Sequence, residues 1–449
     1  MDDALFDEAG GSVLLSFTAE NTRSFRDEAH LTLIATDDPL ADGSRHRQVE
    51  VSGDVAHVLP AAGIFGANAS GKSAIILALR DMEMIVRRSF ANVELFREEP
   101  RPYFKLDEGG VSRPTRLAVE VIVRGSLWHY EFAYDDERIT HEYAARTFPG
   151  DGQLQVMFER QHDQVTYGSD ADTLIEPLTK FLRPNALLLS VAGAADQSAL
   201  AALYKWFYDH VYYFQGGRNI GAVGQTAKLA REGSTYKERI LHLLTLADLG
   251  LSDIKWTDPA PETVEALRRQ MTEALPTHGE TPLASPGSEF ESVLAAHLGE
   301  TRFGHRHGAS QVFLAQEAES LGTQAWAGLI GRILLALEDG DLMIVDELDC
   351  SLHPLLVGKA IELFQCPSNN PRNAQLLFTA HSPNLMGGST DDTLGPSQIW
   401  LTEKNRDGAS SIFSLADIKP ALAADRPNAE NYLRGRFGGL PILMPADLR

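Results

Sequence analysis

"GIFGANASGKSAI", residues 63–75, lies between the apolar stretch "VLPAA" and the apolar run "AIILALR". That setting predicts a strand, a tight loop and a helix. The spacing Gly66, four residues, Gly71, Lys72, Ser73 is the phosphate-cradling pattern. Its glycines let backbone N–H groups face phosphates, Lys72 reaches the outer phosphates, and the Ser73 hydroxyl ligates Mg2+. Asn68, Ser70 and Ala74 belong to the same loop and first turn, and the helix that follows aims its positive end at the nucleotide. The loop alone leaves open which kind of nucleotide-binding protein this is.

Composition bounds the answer. The chain has 449 residues, 43% of them apolar and 23% charged, which is globular rather than disordered and long enough for two or three structural units. The segment "MDDALFDEAG" is acidic and carries no secretory pattern, and no stretch approaches the length of a membrane span, so the expectation is a cytoplasmic protein without membrane contact. Two cysteines, Cys350 and Cys366, cannot build a disulfide framework or a cysteine zinc site. A formal charge of −22 disfavours a broad nucleic-acid surface while leaving room for a local basic groove, and it favours a protein partner.

A second half of the site follows far along the chain. "DLMIVDE" (341–347) reads as a buried parallel strand delivering Asp346 and Glu347 at its C-terminal end, where open α/β sheets bind ligands. Asp346 would hold Mg2+, and Glu347 would act as general base on the attacking water. "QLLFTAHSPNL" (375–385) is another buried strand with His381 just past its end, in reach of a γ-phosphate or that water. "ESLGTQAWAGLIGRILLALEDG" (319–340) is an amphipathic helix opened by Ser320 and Gly322, whose terminus can bind an anion or can simply be capped.

The remaining segments organise around these. "VLLSF" and "HLTLIA" predict two strands ahead of the loop, and residues 114–160 predict an antiparallel meander. Residues 171–250 show helical periodicity, and 255–300 hold a helix followed by a Pro/Gly/Ser-rich arm. "QIWLTEKNRDGASSIFSL" predicts a hairpin turning at Asp407-Gly408. The expected domains are 12–110 for the first half of the nucleotide core, 111–170 for a β lobe, 171–318 for a helical lobe, and 319–449 for the second half of the core.

The order of phosphate loop, insertion, capped helix, acidic strand and histidine strand resembles the ABC-type ATPases. "ENTRSFRDE" resembles a turn near the start of the SMC/RecF-like branch and implies Asn21, Arg23 and Ser24 near the nucleotide. "GIFGANASGKS", "ESLGTQ", "VDELDCSLHPLL", "QLLFTAHSPNLM" and the late hairpin resemble the prokaryotic AAA-family ATPases of abortive-infection and anti-phage systems, relatives of the ATPase half of the overcoming-lysogenization-defect nucleases. The resemblance implies an α/β P-loop NTPase of the ABC type with a β-rich lobe and an inserted helical lobe. It implies slow hydrolysis of ATP with Mg2+, and a homo-oligomer in which Ser320, Gly322 and Asp349 of one head complete the nucleotide pocket of another. It further implies a separate effector, such as a nuclease or toxin, and a phage-derived trigger.

The signature reads "SLGT" rather than "SGGQ", and residues 74–152 hold no glutamine, where ABC proteins use one to sense Mg2+ and water. Three other readings stand beside this one. A RecF-like DNA-repair ATPase would need a basic groove. A nuclease would need an acid cluster outside the ATP site, and the chain after His381 reads as too short for one. A scaffold locked by ATP would release no phosphate.

Overall fold

The computed structural model describes residues 11–36, 45–51, 54–147, 152–168, 175–195, 200–217, 220–231, 233–274, 298–308, 310–387, 393–418 and 428–440. Most of the arm expected after the helix in 255–300 lies outside the described residues. The chain divides into two compact units.

The larger unit comprises Met1–Phe214, Ala336–Leu348 and Ile361–Arg449. Its centre is a six-stranded sheet ordered Val211–Gln215, Leu342–Asp346, Gln375–Thr379, Ala61–Gly66, Ile399–Lys404, Ser410–Ser414. The pairings from Leu342–Asp346 through Gln375–Thr379 and Ala61–Gly66 to Ile399–Lys404 are parallel, and the last pair is the expected antiparallel hairpin. Leu342–Asp346 and Gln375–Thr379 are buried at every residue, as continuous apolar runs in a parallel sheet require.

A second sheet of seven antiparallel strands is ordered Gln164–Tyr167, Leu154–Gln161, Ile139–Thr147, Ser126–Tyr134, Thr115–Val123, Val13–Glu20, Ala29–Thr32. The helix Lys72–Arg88 buries Ile75, Ile76, Leu79, Met82, Ile85 and Val86 in one core that also takes Phe17, Val119 and Phe132 from this sheet and Ile64, Ile344 and Leu377 from the other. Each such aliphatic chain contributes roughly 1.5–3 kcal/mol by leaving water. Glu142, fully buried, accepts from the Tyr130 hydroxyl at 3.0 Å and from the amides of Leu188 and Leu189 at 2.7 and 3.0 Å, which ties the sheet to the helix Leu188–Ala194.

The smaller unit comprises Gln215–Leu335 and Asp349–Ala360. It holds the helices Ile220–Leu229, Lys237–Leu246 and Pro261–Ala274 and a three-stranded antiparallel sheet of Leu251–Thr257, Glu300–His307 and Ser310–Ala315. The long helix Leu321–Asp339 begins in this unit, where the buried Trp326 indole donates to the Leu243 carbonyl at 3.0 Å. Gly331 lies so close to Thr226 that a Cβ there would sit 2.2 Å from its hydroxyl oxygen.

Two features depart from the sequence reading. Val13–Glu20, expected with the nucleotide core, pairs along its length with Thr115–Val123 of the β lobe. Such pairing between distant strands leaves no trace in local periodicity. The stretch 171–318, expected to be helical, contains four strands. "ETRFGHRH" buries only Thr301, Phe303 and Gly304 and "SQVFLA" buries none, so neither keeps a clean two-residue alternation, while only Asp209 and His210 separate "VYYFQ" from the apolar run of the helix Ala201–Asp209.

On the seven-stranded sheet, His129 stands between Glu120 and Glu131, with nitrogen to oxygen distances of 3.7 and 3.5 Å. The Glu120 carboxylate first and the Glu131 carboxylate second push His129 up to about 9, against the opposing effect of burial. Burial alone would raise Glu131, but His129 and Arg116 outweigh it and hold it down to about 2. The imidazolium therefore stabilises the fold fully below the ordinary histidine value near 6.5, and this contribution fades as pH rises to 9. We expect His129→Gln to flatten the decline of Tm between pH 6.5 and 9, and thermal melts at several pH values would show whether it does.

Candidate functional site

A cavity of 590 Å³ opens in the larger unit, lined by the phosphate-loop residues Asn68 to Ala74 apart from Ser70, by Arg23, Ser24 and Leu77, and by Glu347, His381 and Lys404. The loop is shaped by three positive backbone angles, at Gly66, at Ala69 (φ +62°) and at Gly71. Gly66 has φ +152°, and a Cβ there would lie 2.6 Å from the Ser70 and Thr402 hydroxyls. Gly71 has φ +116° and forms the left-handed cap of the helix Lys72–Arg88, where a Cβ would meet Ser410 at 2.7 Å. Ser70 works behind the loop, its hydroxyl 2.6 Å from that of Thr402. The Lys72 ammonium donates to the carbonyls of Gly66 and Ala67 at 3.0 and 3.1 Å, which holds the charge inside the loop's curve.

Opposite the loop, Asp346 is 6% exposed and accepts two hydroxyl bonds on one carboxylate oxygen, from Ser73 at 2.9 Å and from Thr379 at 2.6 Å. The Glu347 amide donates to the same Thr379 hydroxyl at 2.7 Å. Glu347 itself has φ +56°, a strained conformation for a non-glycine residue that turns the chain out of the strand. Its carboxylate is half-exposed and lies 3.7 Å from the His381 imidazole. One acid is thus buried against the Ser73 hydroxyl while its neighbour faces the cavity.

Arg23 also takes part. Its guanidinium pairs with Asp81 on the loop's helix at 2.6 Å, and burial raises the Asp81 carboxyl although Arg23 opposes it. Asn21 does not line the cavity. It is fully buried, and its amide donates to the carbonyls of Gly110, Arg113 and Pro114, so the expected contact with the nucleotide is replaced by a role in shaping the 102–114 segment. The reason is that φ +47° at Asn21 turns the side chain into the interior.

Ser320, Gly322 and Asp349 belong to the smaller unit. The Ser320 hydroxyl accepts from the Thr323 amide at 3.1 Å and caps the helix Leu321–Asp339. A Cβ on Gly322 would sit 2.8 Å from the Ser351 carbonyl oxygen. Asp349 is half-buried in the turn before the helix Pro354–Gln365.

Several residues escaped the sequence reading. Thr379 orients both acids and was visible only as the threonine before "AH". Lys404 reaches the cavity from the hairpin. A glutamine does end a strand of this sheet. At their beginnings, the His210 carbonyl accepts from the Leu342 amide at 2.8 Å. In the middle of Val211–Gln215, burial and then Asp346 push the Tyr213 phenol up to about 12. The strand Val211–Gln215 neighbours Leu342–Asp346 in the sheet, and Gln215 is its last residue. Residues 74–152 hold no glutamine, and Gln215 follows the β lobe in the chain instead of preceding it.

Among the described residues, no cluster of three or more His, Cys, Asp or Glu could hold a metal ion on its own. One carboxylate beside one hydroxyl, Asp346 with Ser73, suits Mg2+ shared with a phosphate, since that ion keeps most of its other ligands as water or phosphate oxygen.

The sequence model of a family described as "AAA domain, putative AbiEii toxin, Type IV TA system" matches residues 61–183 and 222–387. This chain belongs to that family. The matched segments include the phosphate loop, the helix Leu321–Asp339, the acidic strand and the histidine strand, so the residues of the cavity that follow Ala61, up to His381, lie within the AAA domain. Among solved structures, the chain is similar to the SMC head domain from Thermotoga maritima, at 12% identity over 89% of this chain and 98% of that one with a TM-score of 0.37. It is also similar to an Smc head domain with a coiled coil and joint derived from Pyrococcus yayanosii, at 10% identity over 95% and 99% with a TM-score of 0.34. A comparison with curated proteins finds no match. No helix among the described residues of the AAA domain is long and apolar enough to cross a membrane.

Lys72→Ala removes the one ammonium held within the loop's curve and leaves the sheet untouched. The variant should keep its circular dichroism and lose nucleotide affinity, and calorimetry with ATP measures this directly.

Proposed function

We propose that this AAA domain binds ATP with Mg2+, hydrolyses it, and uses the cycle to join and release copies of itself. The observation that carries the reading is the convergence of Lys72, Ser73, Glu347 and His381 on one cavity, with the buried Asp346 accepting from Ser73 behind it. Lys72 and the amides at the start of its helix bind the outer phosphates. Ser73 and Asp346 would hold Mg2+, which supplies positive charge against the oxygens of the transferring phosphoryl group. Glu347, turned out of its strand toward the cavity, accepts the proton of the attacking water, and His381 beside it keeps that carboxylate oriented.

Ser320, Gly322 and Asp349 meet the nucleotide of a neighbouring copy in this reading, which makes ATP the bond between heads. The family description names a toxin and a toxin–antitoxin system. That description supports a place in a two-component defence against phage, in which this chain senses a phage-derived trigger and restrains or releases a separate toxic effector.

Glu347→Gln should keep ATP and Mg2+ binding and lower turnover by roughly a hundredfold or more, the scale of losing a general base. Asp346→Asn should instead weaken Mg2+-dependent binding. Phosphate-release assays beside calorimetry separate the two roles, and wild-type turnover in Glu347→Gln would move the base to His381. Ser320→Arg should bind ATP yet fail to associate. Mass photometry with ATP reads this out, and an unchanged mass distribution would leave Ser320 as a helix cap only.

A further inference from the structure

Beside the phosphate cavity lies a second one of 360 Å³, which shares Arg23, Ser24 and Lys404 with it and is otherwise walled by the segment Pro102 to Leu106 and by Gly408. We propose that this second cavity seats the base of the bound nucleotide by stacking on Tyr103, and that it accepts either purine. The inference rests on the nucleotide reading above and extends it to base selection.

Tyr103 is fixed before any ligand arrives. The Arg101 guanidinium lies 5.0 Å from its ring centroid. Arg101 is nearly fully buried and locked in turn, by Asp136 at 2.9 Å and by the carbonyls of Arg113 and Val111 at 2.7 and 2.8 Å. The segment carrying Tyr103 is itself anchored, because the Arg23 amide donates to the Pro102 carbonyl and the Phe104 amide donates to the Asn21 side chain at 3.3 Å. A ring held in this way loses little freedom when a flat ligand stacks on it.

Leu106 lines the same cavity with 71% of its surface exposed, so its side chain is open to a ligand there. Gly408, at φ +78° in the hairpin turn, makes room for it, since a Cβ there would lie 2.4 Å from the Leu106 methyl. A tyrosine ring and an exposed leucine thus offer apolar surface, while Arg23, Lys105 and Lys404 offer positive charge toward the phosphate side. No carboxylate or carboxamide side chain lines this cavity among the described residues. Among the described lining residues the Ser24 and Tyr103 hydroxyls are the side-chain acceptors, and a hydroxyl, which both donates and accepts, serves the edge of either purine. Stacking depends on ring area and tolerates any edge.

Calorimetry on the full chain with Mg2+ tests this, using ATP, GTP, CTP and inorganic tripolyphosphate as probes. We expect ATP and GTP within about fivefold of each other, CTP weaker, and tripolyphosphate weaker than ATP by about tenfold to a hundredfold, the scale of one stacked base. Tyr103→Ala should bring ATP down to the tripolyphosphate level and leave tripolyphosphate unchanged, whereas Tyr103→Phe should behave as wild type. Leu106→Ala, at an exposed position that cannot threaten the fold, should weaken ATP and GTP by equal factors. The proposal falls if Tyr103→Ala and Leu106→Ala bind ATP as tightly as wild type, or if GTP fails to compete with ATP. Wild type that binds tripolyphosphate through Lys72 but gains nothing from a base overturns the stacking subsite alone. Wild type that binds none of the four probes overturns the nucleotide reading and this one with it.

Discussion

One buried carboxylate organises the larger unit. Asp346 sits at the end of a fully apolar strand, where an ionised group is costly unless its oxygens are satisfied. The two hydroxyls that donate to one of its oxygens come from different elements, Ser73 from the helix after the phosphate loop and Thr379 from the adjacent parallel strand. The interaction therefore sets the loop, the acidic strand and the histidine strand in register with one another. Thr379 passes the constraint on by accepting the Glu347 amide, and Glu347 leaves the strand in a left-handed conformation that a lone strand would not hold.

The charge distribution follows a related logic. The chain carries a net −22, yet Glu347 is the only acid among the described residues lining the two adjoining cavities, against Arg23, Lys72, Lys105 and Lys404. An acidic exterior around a cationic hollow draws a polyanionic nucleotide to one place and discourages an extended nucleic acid from settling elsewhere. Arg23 belongs to both cavities, and its pairing with the half-buried Asp81 fixes its guanidinium between them.

The β-rich sheet contributes support for these cavities instead of chemistry. Its strand Val13–Glu20 leads into Asn21, whose amide gathers three carbonyls of the 102–114 segment, and that segment forms the wall of the second cavity. The residue expected to touch the nucleotide is thus one bond network removed from it. Gln375 plays a comparable part by donating to the carbonyls of Leu14 and Leu59, which couples the two sheets through one buried side chain.

The sequence alone determined the features whose chemistry is local. Gly66, Gly71, Lys72 and Ser73 stand at fixed offsets because a loop around a phosphate tolerates only certain backbone angles, and the structure finds those angles at both glycines. "LMIVDE" and "QLLFTAH" were legible as buried parallel strands because an apolar run of strand length ending in polar residues has few other uses. Tertiary structure decided everything that depends on residues distant in the chain. It assigned Val13–Glu20 to the β lobe, turned Asn21 inward, brought Lys404 and Tyr103 to the cavities, and set Gln215 at the end of a strand beside the acidic one. Strand pairing and side-chain burial are set by which surfaces meet, and periodicity within one segment carries no record of the segment it will meet.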